Sequence, residues 1–130
     1  MPQEWLFEVM LYMVSHVLGF RGVVVMMALV SVLTWTILAD LLRRQGVAHP
    51  LVWALIAAVL STPWDQVRAE TFSYLFFVLT LWLAEKAKEK PRTLWWLIPL
   101  EVVWANTHGS FMLGIAVVLW LGIVLYVSSL

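Results

Sequence analysis

The sequence predicts an all-α, polytopic membrane protein, with about five transmembrane helices preceded by an amphipathic helix in the membrane interface. Three observations predict it. Hydrophobic residues make up 63% of the 130 residues. Charged residues make up only 12%, about half the share usual in soluble proteins. The charges that are present divide the chain into uncharged stretches of helix length. A small soluble domain buries the smallest fraction of its chain, so it has nowhere to hide this much apolar surface. The length fits one domain, residues 1–130.

Residues 3–18 form the first element. Trp5, Leu6, Val9, Tyr12, Met13 and His16 fall at helical spacing, with Glu4 and Glu8 one turn apart on a polar edge. Two acids and a histidine disfavour burial in hydrocarbon, which puts this helix along the interface. Gly19 and Gly22 bracket the turn that follows. The first span, 22–44, is free of charge as far as residue 39 and carries Asp40 near its end. At about 1.5 Å per residue it crosses a hydrocarbon core of roughly 30 Å. The second span, 50–62, holds an apolar run between Pro50 and Pro63, short enough to need tilt or shielding by neighbours. The third, 70–85, leads into the charge run 85–92. The remainder is too long for one helix. Asn106-Thr107-His108-Gly109-Ser110 supplies the short polar residues and glycine of a turn, giving spans at 93–106 and 109–129.

The positive-inside rule orients these spans. Alternation from an outer start puts Arg43, Arg44, Lys86, Lys88, Lys90 and Arg92 in the cytoplasm and leaves Arg21 and Arg68 outside. The N-terminal helix, the 61–70 loop and the 106–110 turn then share the outer face, and the C-terminus ends in the cytoplasm. Trp64, Trp95, Trp96 and Trp104 fall near span ends and fit an aromatic belt. The 85–92 run reads as a solvated loop that fixes topology. No basic region precedes an apolar one, so a cleavable signal peptide is not expected.

Composition excludes several kinds of chemistry. With no cysteine there is neither a disulfide framework nor a thiol-rich metal site. Zero net charge gives no reason to expect a nucleic-acid partner. A phosphate loop, an HExxH zinc motif and a GxSxG elbow are all absent. The three histidines are scattered, so no metal site is assigned; His49, beside Pro50, reads as a loop residue. No cofactor is evident, and a divalent metal is left open.

Polar residues gather at the outer face. Asp65, Arg68 and Glu70 lie in one loop, Asn106 and His108 in the other, and Glu4, Glu8 and His16 on the adjoining helix. Such a cluster suits a phosphate or a sugar, with arginine matched to phosphate by its planar fork of donors. The alternative is a structural pairing of Arg68 with Asp65 or Glu70 at a helix end. Glu101 is the acid placed inside a span; it is either a buried hydrogen-bonding group or a proton or ion site, and on a continued helix it shares a face with His108.

Two stretches resemble a known family. RAETFSYLFFVLTLWLAEKAKEKPRTLWWLIPLEVVWANTHGSFMLGIAVV resembles bacterial polytopic proteins in which an Arg-Pro-Glu-like helix start is followed by a basic loop and a helix ending in a Trp-x-Asn-x-His-Gly turn. EWLFEVMLYMVSHVLGFRG is similar to the stretch after that group's first large outer loop. The group looks like the GT-C glycosyltransferases, which take sugars from polyprenyl-phosphate carriers. The resemblance spans nearly the whole chain, with WANTHGSF its most specific part. It aligns Arg-Pro-Glu with Arg68-Ala69-Glu70, where alanine replaces the proline, and the turn with Asn106, His108 and Gly109.

The resemblance implies a function at the outer face of the inner membrane. Inverting sugar transfer needs a base for the acceptor hydroxyl and donors for the departing phosphate. By this likeness Arg68, Glu70, Asn106 and His108 are the substrate-binding residues, with Arg68 and His108 serving the lipid phosphate and Asn106 orienting it, and Glu4 or Glu8 is a candidate base. The family's usual catalytic acid follows a first transmembrane helix and falls outside these residues, so the chain is expected to be part of a larger membrane protein or a degenerate relative. Two other classes stay open: a non-catalytic membrane subunit packed on a larger partner, and a transporter element using Glu101.

Overall fold

The computed structural model describes residues 4–61 and 67–128. Trp64 and Asp65, both assigned roles from the sequence, lie outside the described residues. The fold is all-helical, with no strand among the described residues. Its elements are α1 (Trp5–Arg44), α2 (Pro50–Ser61), α3 (Glu70–Ala87), a 3-10 turn (Pro91–Trp96), α4 (Leu97–Thr107) and α5 (Phe111–Ser128).

Helix α1 is two helices joined at Gly19, whose φ of 66° and ψ of −169° break the helical path. That combination is essentially confined to glycine, because a Cβ clashes with the backbone there. Gly22, which the sequence suggests for the same turn, is instead helical and buried. The segment before the break turns Phe7, Met10 and Leu11 onto the core, one face of a helix, and leaves Trp5, Val9, Tyr12, Met13 and Val17 exposed. The longer segment ends in a Schellman motif. Val47 N–H donates to the Leu42 carbonyl at 3.0 Å and Gly46 N–H to the Arg43 carbonyl at 3.1 Å, with Gly46 at a φ of 74°, the left-handed position that favours glycine.

Helix α3 is the centre of the bundle and packs against α1, the 3-10 turn, α4 and α5. Its buried positions are Phe72, Ser73, Leu75, Phe76, Val78 and Thr80. The Thr80 hydroxyl donates back to the Phe76 carbonyl at 2.9 Å, which satisfies it inside an apolar helix. Helix α2 begins with proline, whose fixed φ suits a first helical position, and packs on α1 with Ala54 as its buried residue. Pro99 falls in the first turn of α4, where no backbone donor is needed.

The core cluster is Phe7, Ala69, Phe72, Phe76 and Trp104. Phe7 meets Phe72 edge to face at 5.8 Å, and Phe76 lies 5.9 Å from Trp104. Trp104 corrects the aromatic-belt expectation: at 1% exposure it is a core residue rather than an anchor. Its indole N–H is shared between the hydroxyls of Ser73 and Ser110, each at 3.2 Å. A buried indole needs such an acceptor, and two small serines leave room for the ring.

Among the described residues, one helix, Trp5–Arg44, is long and apolar enough to cross a membrane. Pro50–Ser61 and Phe111–Val124 are apolar but shorter. Exposed apolar side chains cover the middle of the molecule, including Leu29, Val32, Leu55, Val59, Leu119 and Trp120. Polar contacts gather at its two ends. At one end Asp40 accepts from Arg44 and Trp82, at 2.8 and 2.9 Å, and also pairs with Arg43. This joins the last turn of α1 to α3. At the other end lies the candidate site.

Candidate functional site

Three chain segments converge at the start of α3. The residue before α1 brings Glu4, the approach to α3 brings Arg68 and Glu70, and the end of α4 brings His108. Together with Phe7, Val67 and Ala69 they line a cleft of about 250 Å³. The core adjoins it, since Phe7 and Ala69 belong to both.

Helix α4 ends at Thr107, and His108 follows with extended dihedrals, φ −158° and ψ 147°. This exit swings the imidazole away from the α4 axis and toward α1. Ser110 then fixes the ring. Its backbone N–H donates to Nδ1 at 3.2 Å, and its hydroxyl lies 2.7 Å from the same nitrogen. Nδ1 is therefore an acceptor, and in the neutral ring the hydrogen sits on Nε2. Nε2 faces Glu4 Oε1 at 3.4 Å. The Ser110 hydroxyl also bonds that of Ser73 at 2.7 Å. A continuous polar chain thus runs from the buried Trp104 indole through Ser73, Ser110 and His108 to Glu4.

Asn106 is placed beside the cleft rather than in its lining. Its Oδ1 accepts from the Trp5 indole at 2.9 Å, and its amide donates to the Val102 carbonyl at 2.7 Å. The bond from Trp5 holds the start of α1 against the end of α4. Arg68 and Glu70 approach at 3.7 Å, with both side chains 44% exposed. Glu8 is exposed on α1 and does not line the cleft. Glu101 and His108 are not brought together, because the helix that would align them stops at Thr107. Instead both Glu101 carboxylate oxygens are buried with no hydrogen-bond partner among the described residues. They lie against Gly114 of α5, where a Cβ would collide with them.

The cleft sets one guanidinium and one imidazole beside two carboxylates. The Arg68–Glu70 pair is exposed, so it is worth about 0.2–1 kcal/mol. The His108 Nε2–H supplies a second donor, and Glu4 beside it is the acceptor available to a hydroxyl. No group of three or more His, Asp or Glu side chains among the described residues is arranged to hold a metal ion.

Sequence reasoning missed the hydrogen bonds that Trp5, Ser73, Trp104 and Ser110 make at this end. Ser73 carried a signal, since a serine inside an apolar helix needs a partner. The partner's identity depended on which helix packs beside α3. No protein-family model, curated protein or solved structure matches the chain.

Proposed function

We propose that this chain is a membrane-embedded segment of a GT-C-like glycosyltransferase, with the headgroup of a polyprenyl-phosphate sugar donor bound at the outer face of the inner membrane. The observation that carries the reading is the convergence of Glu4, Arg68, Glu70 and His108 on one cleft, because segments far apart in sequence supply both an anion-binding arginine and acids beside it. In this reading Arg68 and the His108 Nε2–H hold the phosphate. Glu70 orients Arg68, and Asn106 positions the site through Trp5. Glu4 is the better placed candidate base, since Glu8 does not line the cleft.

The exposed apolar middle of the molecule supports a bilayer as its surroundings. Five spans, with the N-terminal segment outside in the interface and the C-terminus in the cytoplasm, complete the proposal. The shorter helices α2 and α4 then require shielding by neighbouring helices or by a larger membrane protein. A second reading, a transporter element, is favoured by one observation alone, the buried and unpartnered Glu101 carboxylate.

The test is binding of a short-chain polyprenyl phosphate to the purified chain in detergent. Arg68→Ala should weaken it by roughly tenfold or more, the equivalent of one charge-assisted bond. Lys88→Ala, whose ammonium pairs with Glu85 at 2.7 Å, should bind as the wild type does. Equal affinity in all three proteins would refute the site.

A further inference from the structure

The far end of α3 carries a second concave surface with a different chemistry. Helix α3 is 18 residues long, so its two ends are separated by about 27 Å. The cations at this far end divide into two groups. Arg43 and Arg44 are held by Asp40, and Arg44 also approaches Glu89 at 3.9 Å. Lys88 pairs with Glu85, and the Lys86 ammonium sits 3.8 Å over the Trp82 ring. Lys90 and Arg92 make no ion pair among the described residues. Both line one cleft of about 380 Å³, together with Pro91, Thr93 and Trp96.

Trp96 belongs to two surfaces at once. It also lines an adjoining groove of about 400 Å³ whose other walls are Phe76, Leu83, Pro99, Leu100 and Val103, a lining with no polar side chain. The ring is 67% exposed, and Trp95 beside it is 71% exposed, so neither contributes to the core. An indole at the border between a charged cleft and an apolar groove matches the boundary within an amphipathic ligand.

We propose that this surface binds an anionic bilayer phospholipid, with the phosphate in the cleft between Lys90 and Arg92 and an acyl chain along the groove beyond Trp96. Charge and shape select this occupant. A free anion leaves the apolar groove unused. A zwitterionic lipid brings its own ammonium group toward two unpaired cations. An anionic lipid satisfies both parts, and Arg92 adds a planar fork of donors for phosphate oxygens. The inference rests on the exposed apolar belt lying in a bilayer and does not depend on sugar transfer.

The test uses the full chain purified in a mild detergent and offered equal amounts of dioleoyl phosphatidylglycerol and dioleoyl phosphatidylcholine, with retained lipid counted by native mass spectrometry. Phosphatidylglycerol should be retained in preference. The double variant Lys90→Ala/Arg92→Ala should lose that retention by about tenfold or more, since each basic residue near an anionic lipid surface contributes about a fivefold factor. The charge-preserving Lys90→Arg/Arg92→Lys should keep it, Trp96→Ala should reduce it, and Lys88→Ala should leave it unchanged. Inorganic phosphate at millimolar concentration should not displace the lipid. Equal retention of the two lipids, wild-type retention by the double alanine variant, loss in the charge-preserving variant, or displacement by phosphate would each overturn the proposal. The polyprenyl-phosphate experiment turns on Arg68 at the opposite end, so either site can fail without the other.

Discussion

The indole N–H of Trp5 donates to Oδ1 of Asn106 at 2.9 Å, across a separation of 101 positions in sequence. The bond joins the first residue of α1 to the last turn of α4, and Glu4 meets His108 nearby, one position before Trp5 and two positions after Asn106. It adds to the packing of Phe7, Met10 and Leu11 on the core and to the long Glu4–His108 contact in holding this wall of the candidate cleft.

Trp5→Phe keeps an aromatic ring, though a smaller one, and removes the donor. Because Trp5 is 47% exposed, water replaces part of what is lost, and the cost should be about 0.5–1 kcal/mol, a lowering of Tm by a few degrees. Asn106→Ala should cost a similar amount or slightly more, as it also releases the Val102 carbonyl. The double variant should be less destabilised than the sum of the two. Thermal unfolding of all four proteins in one detergent decides this; strict additivity would mean that the bond contributes nothing.

Gly19 is expected to be intolerant for a backbone reason alone. A Cβ there meets nothing within 4 Å, yet the φ of 66° strains any other residue. Gly19→Ala should destabilise by about 1–3 kcal/mol or straighten α1. Gly122→Ala is the control, since its Cβ also meets open space within a regular helix, and it should be neutral or stabilising by up to about 1 kcal/mol. The two thermal midpoints should move in opposite directions or by clearly different amounts.

Gly114 is constrained by space instead. An added Cβ lies 2.5 Å from the Trp104 ring and collides with the Glu101 carboxylate. Trp104 is too deeply buried to move freely, so Gly114→Ala should cost about 1–3 kcal/mol by overpacking. Glu101→Ala removes one of the two obstacles and should recover part of that loss. Wild-type stability of Gly114→Ala would contradict the close approach of α4 and α5.

Topology is tested by cysteine labelling of a chain that has no native cysteine. Ser61→Cys should react with a membrane-impermeant thiol reagent applied to sealed cells, and Gln45→Cys should react only after lysis. The expectation follows from the cation asymmetry between the two faces. Labelling of Gln45→Cys in intact cells reverses the proposed orientation.

Much of the helical plan was legible because local signals agree with the tertiary fold. Pro50 opens α2, Glu70 opens α3, and the Asn-Thr-His-Gly-Ser stretch separates α4 from α5. The 3-10 turn at Pro91–Trp96 was not legible, since its residues read equally well as the first turns of the helix that follows. The expectation for Trp104 failed for a similar reason. A tryptophan near a helix end suits an interface or a core, and only the serines on two other segments decide between them.

By itself the sequence determined the all-helical class, the break at Gly19, and the gathering of charge at the ends of apolar helices. Those properties follow from composition, from backbone stereochemistry and from the cost of placing charge among apolar groups, all of which act locally. The tertiary structure decided which polar groups meet. It turned His108 out of line with Glu101 and toward Glu4, tied Asn106 to Trp5, and set Arg68 in one cleft with Glu4 and His108. It also placed Lys90 and Arg92 next to Trp96 with no ion pair among the described residues. Spacing along one helix predicts neighbours on that helix, but contacts between helices depend on the angle at which each chain segment leaves its last turn and on the side chains that fill the space between them.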